Sequence, residues 1–270
     1  MRSADIGCVA AFAGLAALAA LNSAMAQARA QENTIPDFSG LWERPPQAGG
    51  RAFGPPPSGP GPIMVVQGAG GVRAGDDTNP ILRPHAAAAV KAHGDNLRAG
   101  GIALPAWSLC LPAGVPQILG LADPMQILQD PNYVVLMNRG DSQVRRVHMN
   151  GKASDDIEPS WYGYSVGHYE GPNTLVVDTR GQNDRAVVDR FGTPRSESIR
   201  VVERYTISPD RSEMRVDFMV EDPETFTTPW SANVVYREAT EPFVEQICAE
   251  NNKYPGGGLF PIPEDLTPDF

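Results

Sequence analysis

Between about Ala122 and Glu250 the chain is a succession of short segments that alternate apolar and polar residues, with little room for helices between them. "PMQILQ", "NYVVLMN", "QVRRVHMN", "WYGYSVGHY", "NTLVVDT", "IRVVERYTI", "EMRVDFMVE", "SANVVYRE" and "FVEQICAE" follow one another in this way. Such spacing predicts an all-β fold: an antiparallel meander that closes on itself as a barrel. A closed barrel of about eight strands either fills its interior with side chains or holds one small ligand.

Residues i and i+2 share a face in a strand, so alternation assigns the interior. In 199–207 one face reads Ile199, Val201, Glu203, Tyr205, Ile207, which puts Glu203 inside among apolar neighbours. In 214–221 the inward set is Met214, Val216, Phe218 and Val220. A buried carboxylate needs a partner or it becomes neutral. The strand at 143–149 supplies an arginine on either face: Arg146 with His148, or Arg145 between Val147 and Met149. Arg146 and His148 together make a polar inner stripe. A Glu203–Arg146 pair would either fix strand register or face a ligand as an acid and a cation. Trp161, Tyr162, Tyr164, Tyr169, Phe218 and Trp230 are a dense aromatic supply for a chain with 7% aromatics. They suit core packing or an apolar, ring-containing ligand. Gly163 and Gly167, flanking Ser165, mark a strand that bends.

The first residues read as a signal peptide. "MR" is a short basic region, Val9–Leu21 an apolar one, and Ala24-Met25-Ala26 a cleavage site. Ala26-Gln27-Ala28 and Ala28-Arg29-Ala30 are alternatives. The apolar run is too short to span a bilayer, so no integral membrane span is expected. Removing 1–26 from 270 residues leaves 244 and takes away Arg2 and Asp5, so the net charge stays at −10. An acidic chain without a basic run is a poor partner for nucleic acid or an anionic membrane surface. Together these features predict a secreted, periplasmic protein. Of the three cysteines, Cys8 leaves with the signal peptide, and Cys110 and Cys248 remain. An oxidising compartment predicts that they pair. That bridge would close a loop of roughly 140 residues, worth about 4–5 kcal/mol in the chain-entropy model.

Four regions follow: the signal peptide at 1–26; 27–121, with a first strand, a Pro/Gly-rich loop and a helix packing on the barrel; the barrel core at 122–250; and a Pro/Gly-rich tail at 251–270. Residues 45–75 carry too little apolar area to order themselves and read as a flexible loop or a strap across the barrel mouth. "NPILRPHAAAAVKAHGDNLRAGG" predicts the one N-terminal helix, with Pro84 at its first turn and Gly94 or Gly100 as its stop. "LCLPAGVPQILG" reads as an extended, turn-rich lead into the barrel.

Gly40-x-Trp42, in "PDFSGLW", resembles the Gly-x-Trp signature of the lipocalins and wider calycin group. That resemblance implies a calycin-like barrel whose Trp plugs one end and packs on an Arg from a late strand, with Arg237 as the candidate. A more extensive resemblance is to a large family of secreted bacterial proteins of uncharacterised function. It rests on "PDFSGLW", "CLPAGVP", "RRVHMNGK", "PSWYGYSVGHYEGPNTLVVDT", "VVERYTI", "EDPETFTTPW" and "CAEN". It covers nearly all of the mature chain and implies export but no activity. This chain departs from the family pattern at the Ala153–Asp156 loop, at Tyr164 and at Arg195, where histidines are common.

Two function classes fit these readings, with a third beside them. The first is a module that binds a small apolar or aromatic molecule in its interior, through Arg146, His148, Trp161, Tyr164, Glu203 and Phe218. The second is a cofactor-independent lyase, isomerase or hydrolase in the same cavity. There Glu203 or Asp156 would be the base, His148 the acid and Arg146 the oxyanion holder. The third is a structural envelope protein with a filled barrel. No cofactor or metal is expected. The acidic residues 155–158 and Asp178, Asp184 and Asp189 follow no EF-hand spacing. His85 and His93 are eight apart on one helix, too far for one metal.

Overall fold

Alternation in the sequence becomes register in the structure, a computed structural model that describes residues 35–45, 53–67, 72–101, 110–140, 143–151, 156–240 and 242–247. In chain order the strands are β1 (Gly40–Glu43), β2 (Val65–Gln67), β3 (Arg73–Gly75), β4 (Met125–Gln129), β5 (Tyr133–Asn138), β6 (Val144–Met149), β7 (Tyr164–Glu170), β8 (Thr174–Arg180), β9 (Arg200–Ile207), β10 (Glu213–Glu221) and β11 (Trp230–Glu238). The one α-helix among the described residues, α1 (Pro84–Arg98), starts on Pro84 as expected. It runs through Gly94 and stops before Gly100, which has φ of 81°. β2 and β3 pair as a separate two-stranded sheet that the sequence reading did not foresee.

The other nine strands close a barrel in the order β1-β11-β10-β9-β8-β7-β6-β5-β4. Two details differ from a purely antiparallel meander. First, β6 and β7 run parallel, with Val147 opposite Ser165 and Met149 opposite Gly167. β7 enters the sheet in the same direction as β6, alongside its second half, Val147–Met149; residues 152–155 of the connection lie outside the described residues. Second, the last barrel strand is not the "FVEQICAE" segment. Residues 242–247 have no strand pairing. The closing place between β11 and β4 belongs to β1, through Trp42 opposite Met125 and Glu43 opposite Arg237.

The assigned inner faces hold. Val201, Tyr205, Val216 and Val220 are all 0% exposed, and Glu203 with them. Cross-strand partners share a face, and Val177, Glu203 and Phe218 lie opposite one another across β8, β9 and β10. Outside, β7–β10 carry opposite charges in cross-strand pairs, such as Arg200 on Asp178 at 2.8 Å and Arg204 on Glu170. That half of the exterior is built for water.

Both mouths are covered by N-terminal chain. At the lower end Phe38 is fully buried, its carbonyl accepts the Trp42 indole N–H at 3.1 Å, and its own N–H donates to Gln129 Oε1 at 2.7 Å. Arg211, in the β9–β10 turn, ion-pairs with Asp37 at 3.1 Å and donates to the Ser39 carbonyl at 2.8 Å. Arg237, the sequence candidate for the Arg that packs on Trp42, is exposed on the outer face. At the upper end residues 113–121 are buried throughout, and the 3-10 turn Gln117–Gly120 lies across the mouth. The Pro/Gly-rich stretch is ordered where it is described, because it lends apolar side chains to the barrel. Phe53 is 7% exposed and packs edge-on against Phe218 at 4.9 Å. Gly54 bridges Asn233 beyond the end of β1. From Gly54 to Pro60 the stretch runs beside β11, with the Ser231 N–H donating to the Pro60 carbonyl at 3.0 Å; residues 46–52 and 68–71 lie outside the described residues.

Candidate functional site

The strand register brings one charged pair into the barrel. Glu203 faces inward from β9 because it lies opposite Phe218 and Val177. Arg145 faces inward from β6 because it lies opposite Leu136, in the same register that sets Val147 against Val134. The inward arginine of β6 is therefore Arg145, and the sequence choice of Arg146 is corrected. Arg145 Nη1 donates to Glu203 Oε1 at 2.9 Å, and Nη2 donates to Glu203 Oε2. Nε donates to Ser165 Oγ at 3.0 Å, and Nη2 also donates to Thr179 Oγ1 at 2.6 Å. Tyr205 donates its phenol proton to Glu203 Oε1 at 2.7 Å. The pair is 4% and 0% exposed, so its strength depends on this full set of bonds.

Charge within the group is settled by mutual pairing. Burial alone would lower the Arg145 pKa, but the charge and hydrogen bonds of Glu203 outweigh it and raise it. Burial, and then the Glu203 charge, push the Tyr205 phenol well above its ordinary value, so it stays a donor. Four of the five guanidinium N–H groups are used. The second N–H on Nη1 has no partner among the described residues.

The remaining sequence candidates are scattered. Arg146 is exposed on the outer face, its guanidinium 5.4 Å from the Tyr133 ring. His148 stands on that same face, half-buried and stacked on Tyr164 at 4.5 Å. Strand parity separates Arg146, His148 and Tyr164 from Glu203 by the thickness of the sheet. Asp156 is exposed in the β6–β7 connection, and Trp161 is half-buried near its end. Phe218 is inside, held by Phe53 and Trp230. The acid, base and oxyanion holder of the enzyme reading are thus not brought together. Glu203 has both oxygens occupied, which leaves it poorly placed to take a proton from a substrate.

Two openings lie at the upper mouth, on either side of Asn138 and Gln143, which line both. The inner one is a cavity of about 20 Å³ under Ile118 and Leu119, bordered by Met125, Leu136, Tyr162, Tyr205 and Arg145. It is about large enough for one water molecule. The outer one is a groove of about 510 Å³ between the β5–β6 end and residues 243–247. Met137, Val144, Phe243, Val244 and Ile247 give it an apolar wall, and Arg139 and Glu245 a charged rim. Its volume lies in the range of small-molecule sites. Val144, Val244 and Ile247 are 58%, 51% and 40% exposed, an apolar surface that solvent alone does not explain. No protein-family model matches the chain, and no curated protein does either.

Arg195, which stands where the resembled family often has a histidine, holds the cap over this mouth together with Gln182, Tyr236 and Arg44, which the sequence reading did not single out. The Val115 N–H donates to Gln182 Oε1 at 2.8 Å, and Arg195 Nη1 donates to the same oxygen at 2.9 Å. Arg195 also reaches the Asn183 and Trp161 carbonyls, at 2.6 and 3.1 Å. Burial lowers its pKa to about 10. Tyr236 donates to the Leu119 carbonyl at 3.2 Å and Arg44 to that of Gly120 at 2.8 Å. A signal existed in the lone polar residues at inward positions of apolar strands, such as Thr179 after Leu175 and Val177. Cys110 is exposed, and its expected partner Cys248 lies outside the described residues. Among the described residues no three His, Cys, Asp or Glu side chains come close enough to hold a metal ion. No helix among them is long and apolar enough to cross a membrane.

Proposed function

We propose that the protein is an exported barrel that binds a small apolar molecule at its upper mouth. The observation that carries this reading is the apolar groove of about 510 Å³ backing onto the small cavity at Arg145. Val177, Val216 and Phe218 point into the lumen and are buried there. A titration with the neutral apolar dye N-phenyl-1-naphthylamine tests the reading. Its fluorescence should rise saturably with the wild-type protein and not with Val144→Asp, which charges the groove wall at an exposed position. Binding that survives Val144→Asp would move the site elsewhere. Absence of saturable binding would favour the second reading, a barrel whose filled lumen serves only as structure, which the cavity of about 20 Å³ supports.

Export to the periplasm, by way of a signal peptide at 1–26, belongs to this proposal, as does membership of the secreted bacterial family that the chain resembles. So does a bridge between Cys110 and Cys248, which would tie the start of the upper cap to the chain that follows the groove. Thiol titration of the denatured, exported protein should find no free thiol. Two free thiols per chain would refute the pairing. An isomerase, lyase or hydrolase has less support, because Glu203 is occupied while His148 and Arg146 stand on the opposite face of the sheet.

A further inference from the structure

We infer that the ligand of the mouth site carries one small uncharged oxygen, a hydroxyl or carbonyl, on an apolar body, and that Arg145 reads this oxygen. The inference rests on the mouth reading proposed above. Three observations lead to it. The inner cavity, about 20 Å³, has room for a single polar atom and not for a bulky head. Arg145 lines it and keeps one N–H without a partner among the described residues. Tyr205, which also lines it, uses its proton on Glu203 and has acceptor capacity left, so a hydroxyl could both accept from Arg145 and donate to Tyr205.

The charge of the site selects between head groups. Arg145 is already matched by Glu203 in a bidentate pair, so the cavity offers an N–H but no net positive charge. A carboxylate would leave water without gaining a counter-ion, and an ammonium would meet an arginine. An uncharged acceptor loses little hydration and gains the spare N–H. The apolar body would lie outside Asn138 and Gln143, along Met137, Val144 and Ile247.

Octan-1-ol, octanoate and octylamine share a chain and differ in head charge. Each is titrated against the protein calorimetrically at pH 7.5, and in competition with N-phenyl-1-naphthylamine. Octan-1-ol should bind about tenfold or more tighter than either ion. It should also shift the Arg145 side-chain N–H resonances, which octane should leave unchanged. Octanoate binding tightest would overturn the inference, because Arg145 would then act as an unpaired cation. Equal affinities, or an octanol complex with unshifted Arg145 signals, would overturn it by placing the head outside the cavity. In both cases dye binding that responds to Val144→Asp leaves the mouth reading standing. If neither dye nor octanol binds, the mouth reading fails and the inference falls with it.

Discussion

Glu203→Ala is expected to cost about 3–5 kcal/mol of stability, among the largest effects of any single substitution, because it leaves the Arg145 guanidinium buried without its counter-ion. Arg145→Ala should cost a similar amount, since it strands the carboxylate and leaves Ser165 and Thr179 without their donor. For a chain of this size each kcal/mol lowers the melting temperature by about 2–4 °C. Arg146→Ala, one residue away on the exposed face, should change stability by no more than about 0.5 kcal/mol. The double variant Glu203→Ala/Arg145→Ala should lose less than the sum of the two singles, because the second change removes a charge that the first left unpaired. Chemical denaturation of the four proteins measures all of this. Equal, small effects for Arg145 and Arg146 would mean that the strand does not present Arg145 to the interior.

Gly163→Ala should be the most damaging glycine substitution near the upper mouth. Gly163 has φ of 62°, which costs a side-chain-bearing residue about 1–2 kcal/mol. An added Cβ would also lie 2.2 Å from the Arg180 carbonyl oxygen, a backbone atom that cannot move without parting β7 from β8. Overpacking of this kind adds about 1–3 kcal/mol. Gly171→Ala is the matched control: its φ is 64° but nothing lies within 4 Å of the new Cβ. Only the conformational part should then be lost. A Gly163→Ala protein as stable as Gly171→Ala, measured by thermal unfolding, would show that the close approach to Arg180 is absent.

The inner face of β9 was legible because four apolar residues flank Glu203 at two-residue spacing, which leaves one parity with any sense. The partner was not legible. In 143–149 each face holds one arginine and some apolar residues, so periodicity cannot choose between them. The choice comes from pairing with β5, where Val147 meets Val134, and pairing is a long-range property. Val144, on the same face as Arg146 and His148, belongs to the wall of the outer groove. The segment at 243–250 misled for a related reason. It alternates like a strand, but β1 already occupies the edge it would need, and β1 is four residues long and lies far away in sequence. The parallel junction leaves a trace in the sequence: residues 150–163 are too many for a hairpin and enough for a crossover. The upper cap was hidden because its attachments run through single side chains, Gln182, Arg195 and Tyr236, with no local pattern.

The most direct test of a site at the mouth is a methyl spectrum of the protein during titration with N-phenyl-1-naphthylamine, with valine, isoleucine and methionine methyls labelled. Signals of Met137, Val144 and Ile247, which line the groove, should shift and saturate together, while those of Val177 and Val216 in the lumen stay in place. Saturable shifts at Val177 and Val216 with none at Val144 would put the ligand inside the barrel and contradict the account.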